Sequence, residues 1–352
     1  MTYAKAGVNI AHQREAHKIL ARRLESTFQT RAGKLGKPVF PIGHYAGLID
    51  IGHGQVLSLH TDSVGTKVLV AHQMNKYDTI GIDCVAMCAN DLICTGSEPI
   101  SFLDYMAMAK PDRSIVEKVA VGLVKGAKEA GMAIVGGETA IVPELLSEDS
   151  GFDLTGFAAG ICRRSDLILG DKIRENDVII GVASSGIHSN GLTLARKILL
   201  RKYRIRDVPR ILGRSIGEEL LEPTRTYVKP AKELIQKVDV HGLAHITGGA
   251  FSKLERILAQ SRAGALLDEL PTPPPIFELI QKSGRVRKSE MYRTFNMGVG
   301  LVAICTEEES EKTVRVFRRH QQRAMKIGRV RKEPGVRMVD GSSQELRLGH
   351  IH

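Results

Sequence analysis

Apolar residues recur along this chain with two periods, near 3.6 and near 2, and the switches between them set the expected order of elements. Across residues 11–29, Ile19, Leu20, Leu24 and Phe28 stand among charges at helical spacing, which predicts an amphipathic helix. Residues 31–41, rich in Gly, Lys and Pro, predict a loop. Residues 55–62 alternate Leu57 and Leu59 with polar neighbours and predict a strand, as do residues 100–108, 132–135 and 152–162. Helical patterns fall between these strands at 79–94 and 111–130. Several connections are too short for parallel crossovers, so an α+β fold is expected rather than a doubly wound sheet.

A polar, charged stretch over residues 163–177 leads into an apolar run at 178–182 and predicts a domain boundary. Beyond it the pattern predicts helices near 190–202 and 248–260. A rigid Pro271-Thr-Pro-Pro-Pro275 turn precedes a short helix, a buried strand is expected at 299–305, and a solvent-facing helix at 307–323. Two α+β domains are expected, residues 1–165 and 166–352.

Composition narrows the class. In 352 residues, 43% are hydrophobic and 25% charged, the balance of a globular chain with a sizeable core. Five cysteines exclude a disulfide-stapled scaffold. No apolar run approaches the ~18 residues of a spanning helix, and no secretory leader is recognisable, so a cytoplasmic protein with no membrane partner is expected. The formal net charge of +11 is unevenly spread: residues 1–165 hold 17 basic and 17 acidic side chains, residues 166–352 hold 33 and 22. Within the first part, residues 51–165 hold 9 basic and 14 acidic side chains, and a basic half beside this acidic core suits either a nucleic-acid footprint or a phosphorylated small molecule.

Five segments carry candidate chemistry. Thr61-Asp62-Ser63-Val64-Gly65-Thr66-Lys67 closes a predicted strand with a carboxylate for a hard cation, a Gly for close backbone approach and a Lys for phosphate. It is not a Walker A loop, because His60 stands where that spacing needs Gly. In the helix at 79–94, Asp83 and Asn90 are seven residues apart, about 20° from one another around the axis, with Asp91 adjacent. Acids on an otherwise apolar helix require a partner or a cation. Gly136-Gly137-Glu138 follows an apolar run, so the glycines are expected at a strand end with Glu138 as a third oxygen ligand. Ser184-Ser185-Gly186-Ile187-His188-Ser189-Asn190-Gly191 and His245-Ile246-Thr247-Gly248-Gly249 each precede a predicted helix and suit an anion. The Gly298-Val299-Gly300 run lies inside a predicted strand and is discounted as a dinucleotide fingerprint. Cys84 and Cys88 are expected to be core thiols.

Together these blocks resemble the phosphoribosylformylglycinamidine cyclo-ligase (aminoimidazole ribonucleotide synthetase) family over almost the whole chain. Tyr3-Ala4-Lys5-Ala6-Gly7-Val8, Phe102-Leu103-Asp104-Tyr105 and Met291-Tyr292-Arg293-Thr294-Phe295-Asn296-Met297 add to the likeness. The resemblance implies ATP-dependent ring closure of formylglycinamidine ribonucleotide in purine biosynthesis, by phosphorylation of an amide oxygen and attack of a neighbouring nitrogen. It implies a homodimer whose N-terminal strands form a shared β-barrel, a C-terminal α/β sandwich, and no nucleic-acid partner. On this likeness, Asp62, Asp91 and Glu138 are expected to hold Mg²⁺. Gly65, Thr66, Lys67, Asn90, Gly136 and Gly137 are expected at ATP, and His188, Ser189, Asn190, His245, Thr247 and Gly248 at the nucleotide substrate. Lys67, Asp62 and His188 are the expected catalytic groups; an imidazole near its ordinary pKa of about 6.5 suits proton transfer. The chain departs from the family pattern at Ser63, Ile187 and Ala250, each beside one of these loops.

Overall fold

A computed structural model describes residues 10–146, 151–339 and 345–348. The Tyr3–Val8 block therefore lies outside the described residues. Two mixed sheets, each with one parallel strand pair, organise the chain. The first takes β1 (Gly47–Asp50), β2 (Gln55–Ser63), β3 (Glu98–Met108), β4 (Ala133–Ile141) and β5 (Phe152–Arg163) in the order β1-β2-β5-β3-β4. The second takes β6 (Val178–Ala183), β7 (Gly242–His245), β8 (Gly264–Leu267), β9 (Val299–Cys305), β10 (Ala324–Arg331), β11 (Gly335–Val339) and β12 (Glu345–Arg347). Its order is β12-β11-β8-β10-β6-β9-β7.

Helices of the first half are α1 (Ile10–Glu25), α2 (Lys67–Met74), α3 (Ile80–Ile93) and α4 (Arg113–Ala130). Those of the second are α5 (Leu192–Leu199), α6 (Ile216–Leu220), α7 (Val228–Lys237), α8 (Glu255–Leu258), α9 (Pro275–Gly284), α10 (Lys288–Thr294) and α11 (Glu307–Arg319). Among the described residues, no helix is long and apolar enough to cross a membrane.

Sequence and burial agree most closely in α3 and α4. α3 is buried around its whole circumference, all fourteen residues, and is apolar apart from Asp83, Asn90 and Asp91. α4 is amphipathic: Asp112 caps it by accepting from the Ile115 N–H at 3.1 Å, and Gly131 ends it in the left-handed region at φ 74°. The two helices approach closely because Gly81 and Gly122 lack side chains; a Cβ on Gly81 would overlap the α4 backbone.

Three expectations change. The strand expected to stop at residue 135 runs through Gly136, Gly137 and Glu138 to Ile141 as β4, an edge strand paired in parallel with β3. Residues 248–260 form a 3₁₀ turn, one α turn and a further 3₁₀ turn rather than a single helix. β1, α2, α7, β7, β8 and β10–β12 lie in segments where no element was expected. β7 and β8 are only four residues each, and β10 interleaves charges with its apolar positions.

Candidate active site

The inner face of the first sheet carries the carboxylates. Asp62 on β2 is in register with Gly156 on β5, which is in register with Asp104 on β3, so the three share a face. α3 lies against this sheet and against β7 and α7. It therefore touches both halves of the molecule.

At one end of α3, Asp83 is a knot. Its Oδ1 accepts from Lys67 Nζ at 2.8 Å, Ser189 Oγ at 3.1 Å, and the Thr224 N–H and Oγ1 at 2.7 and 2.6 Å. Lys67 is fully buried there and also donates to the Glu222 carbonyl at 2.6 Å. Burial pulls the Lys67 pKa down and the Asp83 charge opposes that pull. Thr66 Oγ1 meets Thr193 Oγ1 at 3.1 Å, a second tie from this loop to the other half. Gly65 takes φ 62°, a left-handed turn that favours glycine.

At the other end is a relay. His245 Nδ1 lies 2.7 Å from Asp91 Oδ1, and its Nε2 lies 3.3 Å from Asn90 Nδ2. An amide donor at Nε2 places the imidazole proton on Nδ1, facing the carboxylate. Asn90 also donates to the Arg225 carbonyl at 2.9 Å and accepts from the Tyr227 N–H at 2.8 Å. His60 Nε2 stands 3.6 Å from Asp91 Oδ2. Burial alone would raise the Asp91 pKa; the neighbouring His60, His245 and Lys253 override it and hold it at about 2. Burial and then the Asp91 charge push Asp62 the other way, upward.

The two loops of the second half meet beside this relay. His188 takes φ 60°, unusual for a non-glycine residue. Its Nε2 accepts from the Ser185 N–H at 3.2 Å, and its buried Nδ1 has no hydrogen-bond partner among the described residues. Burial, with help from His245, Lys67 and Arg225, drives the His188 pKa well below 6.5. The expectation of an imidazole near its ordinary pKa is therefore not met, and His188 is neutral at neutral pH. Asn190 Oδ1 would lie 3.0 Å from a Cβ on Gly248, so the bare glycine lets the two loops touch. Asn190 Nδ2 is also buried without a hydrogen-bond partner among the described residues. Thr247 is buried next to them, its carbonyl accepting from the Ala250 N–H at 2.7 Å.

Tyr227 joins the parts. Its ring centroid is 6.4 Å from that of His188 and 6.3 Å from that of His245, and its hydroxyl donates to the Ala183 carbonyl at 3.0 Å. Gly300 on β9 makes room for it: a Cβ there would overlap Tyr227 Oη and lie 2.7 Å from His188 Cε1.

The expected three-carboxylate metal site does not form within the chain. Glu138 is in register with Tyr105, one position on from the Asp104–Gly137 pair, and so points to the outer face, opposite Asp62. Among the described residues, no three histidine, cysteine or carboxylate groups gather as a metal cage. Gly136 and Gly137 share Glu138's exposed edge strand, although Gly137 packs beside the Asp104 carboxylate. Asp104, Lys253, Thr224, Arg225 and Tyr227 were missed. Asp104 sat inside the Phe102–Tyr105 block, and the others act largely through backbone groups or from turns without a motif.

A family model described as "AIR synthase related protein, N-terminal domain" matches residues 43–162, and one described as "AIR synthase related protein, C-terminal domain" matches 174–341. The phosphoribosylformylglycinamidine cyclo-ligase of Pyrococcus furiosus is 49% identical over 336 residues, covering 96% of this chain and 97% of that protein. That of Thermococcus kodakarensis is 48% identical over 338 residues, covering 96% and 98%. Among solved structures, hydrogenase maturation protein HypE in complex with ATP is 20% identical with a TM-score of 0.62, covering 84% of this chain and 85% of that one. That likeness concerns the fold.

Proposed function

The chain belongs to the phosphoribosylformylglycinamidine cyclo-ligase family, and on that premise we propose that the seam along α3 is where ATP and the ribonucleotide react. The activity is that of an ATP-dependent ligase of purine biosynthesis, converting formylglycinamidine ribonucleotide to aminoimidazole ribonucleotide. One observation carries the assignment of the site. Groups from both halves converge on the two ends of one buried helix, Lys67, Ser189 and Thr224 at Asp83, and His245, Arg225 and Tyr227 at Asn90–Asp91. Eight residues of helix separate these ends by about 12 Å, room for a triphosphate and the atom it phosphorylates.

Asp62 and Asp91 fit a divalent cation, because two neighbouring carboxylates raise the cost of ionising Asp62 and a cation between them removes it. Mg²⁺ held there would supply neutralising charge to the phosphates. The protein's own groups then have distinct tasks. Lys67, its charge paired with Asp83, anchors the Thr61–Lys67 turn to the second half rather than presenting a free cation. Neutral His188 offers its Nδ1 proton as a hydrogen bond. His245, oriented by Asp91, holds or accepts a proton at Nε2 once Asn90 releases it. Ser189, Asn190, Thr247 and Gly248 line the substrate side, and Gly65, Thr66, Asn90, Gly136 and Gly137 the ATP side.

The outer face of the first sheet supports a homodimer closed through a shared barrel. Leu103 and Phe157 are in register there, with Tyr105 beside them, and all three side chains are exposed. Glu138 lies on that same face. The division at residue 165 belongs to this reading, since the two family matches fall on either side of it. A cytoplasmic location follows from the pathway.

Purified protein given formylglycinamidine ribonucleotide and Mg-ATP should release ADP and form a diazotisable amine in equal amounts. Formation of neither product would sink the reading. Light scattering should give a dimer, and a Tyr105→Glu, Phe157→Glu double variant a monomer.

A further inference from the structure

Away from the seam, a groove of about 590 Å³ is lined by Lys237, Lys312, Arg315, Arg318 and Arg319, five cations and no carboxylate. Its walls are the C-terminal end of α7 and one side of α11, helices that pack on each other. Lys312, Arg315 and Arg319 stand at i, i+3 and i+7, one stripe of α11. Cations close to helix C-termini are expected from the backbone dipole, which accounts for Lys237, Arg318 and Arg319. It does not account for Lys312 and Arg315, one to two turns further back.

Local acids compensate this charge only in part. Glu233 on the rim is shared by Lys237 at 2.8 Å, Arg319 at 2.6 Å and His320 at 2.6 Å. Lys312 meets Glu309 at 3.2 Å in a half-buried pair and Arg315 meets Glu311 at 3.6 Å in an exposed one, surface pairs of small worth. The volume is that of a small-molecule site, and guanidinium groups beside lysines suit adjacent phosphates.

Both walls of the groove end at the catalytic seam. α7 begins at Val228, directly after Tyr227, whose N–H binds Asn90 and whose ring stands between His188 and His245. Its ten residues span about 15 Å. Three residues beyond the end of α11, Gln322 donates through Nε2 to the Thr226 carbonyl at 3.2 Å. We propose that this groove is a regulatory site for a small anion bearing two or more adjacent phosphates, and that occupancy is transmitted to the seam through α7 and Gln322. The anion draws Lys237 and Arg319 away from Glu233, shifting the α7–α11 packing that fixes Thr226 and Tyr227. This goes beyond the ligase reading and does not depend on which residues carry the chemistry.

The test uses the full chain and inorganic tripolyphosphate, with Mg-ADP saturating the seam and free Mg²⁺ held constant. Calorimetry should find one tripolyphosphate per chain, bound at least tenfold more weakly by an Arg315→Glu, Arg318→Glu double variant and more weakly at high salt. In steady state, tripolyphosphate should change kcat or KM at least twofold in the wild type and leave the double variant unmoved. Without the anion, the two should turn over alike. Gln322→Ala should keep the binding and lose the response. Equal binding by wild type and double variant, or none by either, would overturn the site. Binding without a kinetic change, or an unaltered response in Gln322→Ala, would overturn the transmission. Displacement of tripolyphosphate by a far more tightly bound RNA oligonucleotide would overturn the small-anion assignment. Wild-type turnover measured without the anion tests the ligase reading separately.

Discussion

The two ends of α3 use the same kind of residue, a buried aspartate, for opposite purposes. Asp83 is tied down through one oxygen, Oδ1, on which four donors converge with a buried lysine among them, while its buried Oδ2 has no hydrogen-bond partner among the described residues. Asp91 is poised, flanked by two histidines and by Asp62, another carboxylate. The first arrangement locks two halves of a chain together. The second, on the proposed reading, keeps charge available for chemistry. Burial alone cannot distinguish a structural aspartate from a functional one; what its partners can give up distinguishes them.

Substitutions at both ends should separate these roles. Asp91→Asn and Asp62→Asn should each lower kcat by roughly 10²- to 10³-fold with little loss of stability, as expected for groups that stabilise developing charge. Turnover near wild type in either variant would move the metal-side assignment elsewhere. Asp83→Asn should act chiefly on folding, losing about 3–5 kcal/mol in chemical denaturation because Lys67 is left buried without its counter-charge. A Lys67→Met, Asp83→Asn double variant should recover part of that loss. If the single variant unfolds at the wild-type midpoint, the knot at Asp83 is not structural.

Acid should expose the contrast as well. Asp91, held at about 2 in the fold, contributes stability that is complete above its unfolded pKa near 4 and is lost as pH falls towards 2. The loss should be about 2 kcal/mol. Asp62 works against it, because its raised pKa means that protonation relieves an unfavourable charge. His188, neutral in the fold, makes the unfolded chain the better proton binder below about pH 6.5, so stability falls with acid there too. His188→Gln should flatten the stability profile between pH 6.5 and 4.5, read as the denaturation midpoint against pH. The smallest expected effect concerns Ala250, which follows Gly249 at the poised end and takes φ 47°. Ala250→Gly should gain about 0.5–1 kcal/mol by relieving a left-handed alanine. A lower melting temperature would show that this turn is held by something other than backbone preference.

Much of the site was legible as motifs, because loops that bind anions need Gly, Ser, Asn and Lys in short order. The structure brings Asp62, Asp91, His188 and His245 near one another along one seam, and their roles there are those proposed above. What was hidden depended on direction. Glu138 carries the right side chain, but Gly136 and Gly137 remain inside a strand, and the pleat sends Glu138 to the far face. Lys67 has the charge a phosphate needs, yet Asp83, sixteen residues on, already holds it. The segment 222–227 binds through its carbonyls and N–H groups, which every residue possesses and no motif announces. Short strands such as β7 and β8 have too few positions for alternation to register.

A helix buried at every position also sets how this sequence can change over time. Inserting or deleting one residue between Asp83 and Asn90 would turn one end by about 100° relative to the other and take both sets of partners out of reach. Loops elsewhere can lengthen freely, and exposed helix faces can drift. The fourteen residues of α3 must instead be inherited as a single measured length, because the molecule uses that length to keep its two halves in step.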